Sequence, residues 1–344
     1  MKQRDTSLDI IRISACIMVV FMHSPMPSDN ASGPFLTALS YITAPSIGLF
    51  FMVSGALLLP VKTDYVTFLR KRFSKILIPT LLWSLIYIGL KLYESESEIN
   101  VLKSLASLPF APQGEGVLWF MYTLSGLYLL SPILSAWIEK AGKGELQIVL
   151  LIWCITLCYP LLSFYVTIDT TTAGIFYYFT GYAGYFLLGA YLRKYPGSLS
   201  LVALWALGIG GAVLLLVLKY LDIPFDFYSL FWYESIFIVA LATAIWKLIY
   251  KICNSAPGRD LTRRMGQQLG RLSNMTFGIY LIHILIMRHW LWHQAWIQNI
   301  SGYSLQCVVI AVLTFVISAV ACRMISILPQ ARWIIGYTEK KKSR

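Results

Sequence analysis

Charged residues are scarce in this sequence of 344 residues: they make up 13% of it, whereas hydrophobic residues make up 58%. Soluble domains carry about 25% charged residues, so the composition excludes an ordinary soluble protein. Long polar stretches that would form a separate soluble domain are also missing. Apolar runs able to cross a hydrocarbon core of ~30 Å recur along the whole chain. We therefore predict an all-α, multi-pass membrane protein with one domain over residues 1–344.

Clustered metal ligands and phosphate-binding loops are missing too. The six cysteines show no metal-ligand spacing, and Cys154 and Cys158, one helical turn apart, fit small core residues. No Walker-type glycine-rich loop is present, which argues against ATP hydrolysis. We expect neither a metal site nor a disulfide scaffold.

Ten apolar stretches are predicted to cross the membrane. They cover residues 8–24, 43–60, 76–93, 117–137, 146–166, 174–192, 199–219, 228–249, 272–291 and 304–327. With a cytoplasmic N-terminus, 24 of the 28 lysines and arginines lie on the cytoplasmic side. Basic residues favour that side, so we predict that both termini are cytoplasmic and that the cell (inner or plasma) membrane holds the protein. The net charge of +12 then reflects topology and contact with anionic lipids, not nucleic-acid binding.

The first span places an arginine and a histidine on one helix face. Arg12 and His23 are eleven residues apart, about three turns and roughly 16 Å along the axis. Ionisable residues at membrane depth are functional candidates, and neutral imidazole suits a general base. Asp9, one turn before Arg12, is expected to pair with it. An interfacial arginine that sets helix depth and a packed core histidine are the alternatives.

A second histidine lies in the ninth span. His283 follows Arg271 by twelve residues, so we expect it at the depth of His23 and in the same polar cavity. Tyr280 is one turn away on the same face. Two unrelated packing residues are the alternative.

Three other polar positions have a structural interpretation. Ser54 and Gly55, inside the second span, favour close helix packing over a serine nucleophile. Glu234, an acid inside the eighth span, is expected to be hydrogen-bonded near the outer interface. His289, at the outer end of the ninth span, is expected to be exposed.

A basic loop precedes the third span. It either sets topology or grips phosphates, because guanidinium groups match phosphate oxygens. Its cations are Arg70, Lys71, Arg72 and Lys75.

Several stretches resemble a known family. Arginine and histidine with ten residues between them, here Arg12 and His23, are typical of the type-3 acyltransferases, which are ten-span membrane O-acyltransferases. The stretches LFFMVSGALL, RFSKILIP, LWFMYTLSGLYLLSP, YYFTGYAGYFLLGAYL and FGIYLIH follow in the family's order. The resemblance covers nearly the whole chain.

The resemblance implies roles for individual residues. His23 matches the catalytic base or acyl-transfer group, and Arg12 the essential arginine of the first helix. The family's cytoplasmic Arg-x-x-Arg, associated with acyl-CoA, falls on Arg72 and Lys75, with lysine in the second place.

Two further family motifs lie later in the chain. Tyr280 and His283 match the family's Tyr-x-x-His. Val117 stands where the family often has histidine, so no role carries over there.

The resemblance also implies the substrates. Acetyl-CoA is the expected acyl donor, and a hydroxyl of a lipid-linked or surface carbohydrate the expected acceptor. The phosphates would meet the basic loop, and the thioester would reach His23 along Arg12. A transporter or flippase for a lipid-linked sugar or small anion is the alternative, although no inverted repeat is visible. A membrane sensor with a degenerate site is a third reading.

Overall fold

The computed structural model describes residues 4–27, 33–94 and 100–339. Helix accounts for 75% of the structure, and the described ranges contain no β-strand, which confirms the all-α class. The α-helices are α1 (Thr6–His23), α2 (Pro34–Thr43), α3 (Pro45–Leu58), α4 (Tyr65–Phe73), α5 (Leu77–Glu94), α6 (Val101–Ser107), α7 (Trp119–Lys140), α8 (Lys143–Leu157), α9 (Tyr159–Leu162), α10 (Ala183–Lys194), α11 (Leu201–Tyr220), α12 (Phe227–Leu230), α13 (Ile236–Asn254), α14 (Ala256–Arg288), α15 (Ala295–Gln298), α16 (Tyr303–Ile325) and α17 (Ala331–Ile335).

Eight helical stretches in the described part of the chain are long and apolar enough to cross a membrane. They are Thr6–His23, Pro34–Leu58, Tyr65–Glu94, Gly116–Lys140, Leu201–Tyr220, Ile236–Asn254, Ala256–His293 and Tyr303–Ile325. They coincide with eight of the predicted spans, so the protein is a multi-pass membrane protein. The predicted spans 146–166 and 174–192 fall on α8 and α10, which have 15 and 12 residues. The count of ten crossings and the orientation stay predictions.

The chain forms two compact units. Unit 1 consists of Met1–Pro60 and Ile133–Gly270, and unit 2 of Val61–Pro132 and Arg271–Arg344. In unit 1, α3 packs against α1, α10 and α13. In unit 2, α5 packs against α4 and α17.

Glycines allow α3 and α10 of unit 1 to touch through their backbones. A Cβ atom on Gly55 would lie 1.8 Å from the carbonyl oxygen of Phe186, and one on Gly189 would lie 1.9 Å from that of Met52. Either distance is far inside van der Waals contact, so only glycine fits. Ser54 donates its hydroxyl to the Phe50 carbonyl at 2.9 Å. The packing interpretation of the second span is therefore confirmed at Gly55.

In unit 2, α17 is fixed against the turn between α4 and α5. Trp83 donates its indole N–H to the carbonyl of Ile334 at 3.0 Å. Gly336 follows α17 with φ +69°, and a Cβ there would lie 2.5 Å from the Lys75 carbonyl oxygen. The left-handed backbone and the close approach both require glycine at this position.

Candidate active site

His23 is the last residue of α1 and is half-buried. Its Nδ1 lies 2.8 Å from the carbonyl oxygen of Val19, one turn earlier. A carbonyl only accepts, so Nδ1 carries the ring proton and Nε2 carries the basic lone pair. The backbone of α1 thus sets both the tautomer and the orientation of the imidazole. This is the arrangement that a general base needs.

Arg12 lies on the same helix as His23, as the sequence predicts. Both residues belong to the unbroken α1, so their Cα atoms are separated by roughly 16 Å of helix axis. Arg12 is half-buried, whereas Ile11 and Ile13 beside it are buried. Helix α1 therefore carries both a fixed positive charge, on Arg12, and an imidazole, on His23.

Asp9 forms a bidentate ion pair with Arg4. Arg4 Nε lies 2.5 Å from Oδ2 and Arg4 Nη2 lies 2.6 Å from Oδ1, while Nη2 also donates to the Gly270 carbonyl at 3.0 Å. The carboxylate of Asp9 is buried. The one-turn spacing pointed to Arg12 as its partner, but the bidentate partner precedes the helix. Asp9 accordingly anchors the start of α1 within unit 1.

His283 repeats the imidazole geometry of His23 in unit 2. It is completely buried, and its Nδ1 lies 2.6 Å from the Tyr280 carbonyl oxygen. The Tyr280 hydroxyl donates to the carbonyl of Val117. The phenol proton of Tyr280 is therefore bonded to Val117, the position at which the family often has histidine. That His283 and His23 share a cavity stays a prediction.

Four basic residues lie in the last turn of α4 and in the turn that joins it to α5, a region called here the cationic turn. They are Arg70, Lys71, Arg72 and Lys75. Asp64 caps α4 by accepting from the Thr67 N–H at 2.9 Å, and the hydrogen bonds from Thr67 lower the pKa of Asp64. Arg70 and Lys71 are exposed. The Arg72 guanidinium carbon lies 5.6 Å from the centre of the Phe68 ring. The turn is a local, half-open cationic surface suited to an anion.

The comparison with known families decides the class of protein. The acyltransferase-3 family model, described as an acyltransferase domain, matches residues 5–323. The chain belongs to the acyltransferase-3 family. It is therefore a multi-pass membrane acyltransferase, and the match covers α1, the cationic turn and the Tyr280–His283 pair. No curated protein and no solved structure matches the chain.

One basic side chain next to the cationic turn of this acyltransferase was not predicted from the sequence. Arg332 of α17 donates from Nη2 to the hydroxyl of Ser74, inside the cationic turn. The Nε atoms of Arg72 and Arg332 are both buried and find no hydrogen-bond acceptor among the described residues. Because 258 residues separate Arg332 from Ser74, no local pattern signals the contact. Buried donors without a protein acceptor are usually satisfied by water or by an ion.

His289 of the acyltransferase corrects another expectation. Its side chain is 11% exposed, and its Nδ1 lies 2.6 Å from Glu94 Oε1. Glu115 accepts from Arg288 at 3.1 Å and lies 3.9 Å from His289 Nε2. The expectation of an exposed His289 is therefore wrong. These four residues join the ends of α5 and α14 within unit 2, which is a structural role.

Proposed function

We propose that this acyltransferase moves an acetyl or another short acyl group from acyl-CoA to a carbohydrate hydroxyl, with His23 as general base. The observation that supports this most is the bond from His23 Nδ1 to the Val19 carbonyl. In the neutral ring it makes Nε2 the proton-accepting nitrogen, at the end of a helix that also carries Arg12. A lipid-linked or surface polysaccharide at the plasma membrane is the proposed acceptor.

The transfer step needs one base and one good leaving group. Nε2 of His23 takes the proton of the acceptor hydroxyl as its oxygen attacks the thioester carbonyl carbon. A carbon–oxygen bond forms and the carbon–sulfur bond breaks. The CoA thiolate then takes the proton from the imidazolium, so the products are an ester and free CoA. Holding both substrates in one geometry supplies much of the remaining rate.

The cationic turn and Arg332 are proposed to bind the phosphates of the donor. Arginine binds phosphate oxygens through paired N–H groups, and the exposed Arg70 and the half-buried Arg72 and Arg332 carry such groups. Arg12 is proposed to hold a polar part of the donor. We assign no oxyanion role to Tyr280, since its hydroxyl already donates to Val117.

The test uses the full chain reconstituted in lipid nanodiscs with acetyl-CoA and glycans extracted from cells that lack the protein. Free CoA is measured by chromatography, because the protein has six cysteines of its own and a thiol reagent would not distinguish their thiols from CoA. We expect CoA release that depends on glycan, and a mass shift on the glycan that names the acyl group. Absence of CoA release, or equal release by His23→Ala, would overturn the proposal. Acceptor crossing sealed vesicles without CoA release would favour the transporter.

A further inference from the structure

A groove in unit 1 has no part in the proton chemistry described above. Two adjoining cavities of about 280 Å³ and about 340 Å³ share Tyr159, Pro160 and Ser229 in their walls. Glu234 lines the smaller cavity. We call the two cavities together the Glu234 groove. Its volume is in the range of small-ligand sites.

Glu234 is a carboxylate open to this groove. It is exposed, and it makes no hydrogen bond or ion pair with the residues that the structure describes. The expectation of a hydrogen-bonded Glu234 is therefore wrong within the described part of the chain. An accessible carboxylate in a cavity is a candidate ligand-binding group.

Three hydroxyl groups in the groove, those of Thr156, Thr180 and Ser229, already donate their protons to the protein. Thr156 donates to the Trp153 carbonyl at 2.7 Å, and Thr180 donates to the Tyr177 carbonyl at 2.7 Å. Ser229 likewise donates to an Asp226 oxygen at 2.5 Å. Each oxygen keeps acceptor capacity only. Glu234 and these three hydroxyls therefore present acceptors, so a ligand that contacts them must bring hydrogen-bond donors.

The rest of the wall selects among donor-rich ligands. Neither cavity is lined by lysine, arginine or histidine, which disfavours an anionic ligand. The described residues hold no group of three side chains suited to a metal ion. Tyr228, 66% exposed at the groove, offers an aromatic surface. A saccharide is such a ligand: it carries many hydrogen-bond donors, it has no charge, and it can pack on an aromatic ring.

The segment that carries Glu234 contacts the end of α1 that carries His23. Tyr233, the neighbour of Glu234, donates its hydroxyl to the sulfur of Met22 at 3.0 Å. Tyr185 of α10 donates to the Tyr233 carbonyl at 2.6 Å and so fixes this segment. All of these residues belong to unit 1.

We propose that the Glu234 groove binds a neutral saccharide segment, with Glu234 accepting hydrogen bonds from its hydroxyls and Tyr228 packing against a sugar ring. Saccharide binding is independent of the transfer reaction. Its use as the docking surface of the acceptor rests on the proposed function.

Binding is tested by saturation-transfer NMR on the full chain in nanodiscs, a format free of sugar-based detergents. The probes are maltotriose, cellotriose and the trimer of N-acetylglucosamine. We expect saturation of at least one probe, and a loss of affinity of about 10-fold or more in Glu234→Ala, the usual effect of removing a charged acceptor. Glu139→Gln and Tyr220→Ala, exposed positions outside the groove, are the matched controls and should bind as the unchanged protein does.

Three results would overturn the proposal. They are no saturation of any probe, equal affinity in Glu234→Ala, and displacement of the probe by ethanolamine at equal concentration, which would identify an amine site. The transferase is judged separately by CoA release. Probe binding without CoA release would reject the transferase and keep the groove. CoA release with an acceptor KM unchanged in Glu234→Ala would keep the transferase. It would reject the groove as the docking surface of the acceptor.

Discussion

The imidazole end of α1 and the cationic turn are built in opposite ways. His23 ends an 18-residue helix, and the backbone of that helix fixes its ring through Val19. The cationic turn begins in the last turn of the nine-residue α4, and Arg70 and Lys71 there are exposed. One region offers a single oriented atom, and the other offers spread positive charge.

The difference teaches where each kind of substitution should act. Proton transfer depends on the position and tautomer of one nitrogen, so changes at His23 should lower kcat. Binding of phosphates depends on charge summed over several groups, so changes in the cationic turn should raise KM for acyl-CoA. The comparison would fail if changes at His23 acted on KM for acyl-CoA, or if changes in the cationic turn acted on kcat.

The largest expected effect follows from removing the base. His23→Ala should lower kcat by ~10²–10⁴-fold, the usual contribution of a positioned general base. The exposed His293→Ala is the matched control and should leave kcat unchanged. The measurement is CoA release at saturating acetyl-CoA. A fall in KM alone for His23→Ala would contradict the assignment.

Removing one guanidinium from the cationic surface should have a smaller effect and a different signature. Arg72→Ala, and separately Arg332→Ala, should raise KM for acetyl-CoA by about 10–100-fold, since one charge-assisted bond contributes roughly 1.5–3 kcal/mol. The increase should shrink at high salt. Arg259→Ala, an exposed arginine of unit 1, is the control. A changed kcat with constant KM would argue against phosphate binding here.

The His283→Gln variant tests whether the second imidazole contributes to stability and not to the reaction. The buried ring donates to Tyr280, and an amide in its place would bond imperfectly, which should destabilise the fold by about 1–3 kcal/mol. Thermal unfolding in nanodiscs measures this. We expect kcat per folded molecule to fall less than 10-fold, far less than for His23→Ala. An equal loss in both variants would make His283 a second reacting group.

The smallest expected effect is a gain in affinity for acetyl-CoA. Lys75→Arg would supply the second arginine of the family pattern, with paired donors in place of one ammonium. KM for acetyl-CoA should fall by a few-fold, about 0.5–1 kcal/mol. Lys62→Arg, an exposed lysine outside the turn, is the control. A higher KM would mean that the turn is shaped for lysine.

Local patterns in the sequence predicted the local structure. The apolar runs predicted the spanning helices, and three turns of spacing predicted that Arg12 and His23 share one helix. Ser54 and Gly55 predicted close packing, and Gly55 shows it. These features depend on neighbours along the chain, so periodicity and composition carry them.

Contacts between distant segments could not be predicted in the same way. Arg332 reaches Ser74 across 258 residues, and His289 meets Glu94 across 195. Asp9 has an arginine available one turn away, yet its bidentate partner is Arg4. Glu234 was expected to be hydrogen-bonded, because spacing reveals an acid in a span but not the cavity beside it. Partner choice is decided by packing in three dimensions.

The glycine-lined crossing of α3 and α10 also constrains how this enzyme can change through evolution. Where backbone meets backbone, no side chain remains to be varied, and any replacement of Gly55 or Gly189 meets a carbonyl oxygen. Substitutions that keep this packing must therefore fall at positions outside the crossing.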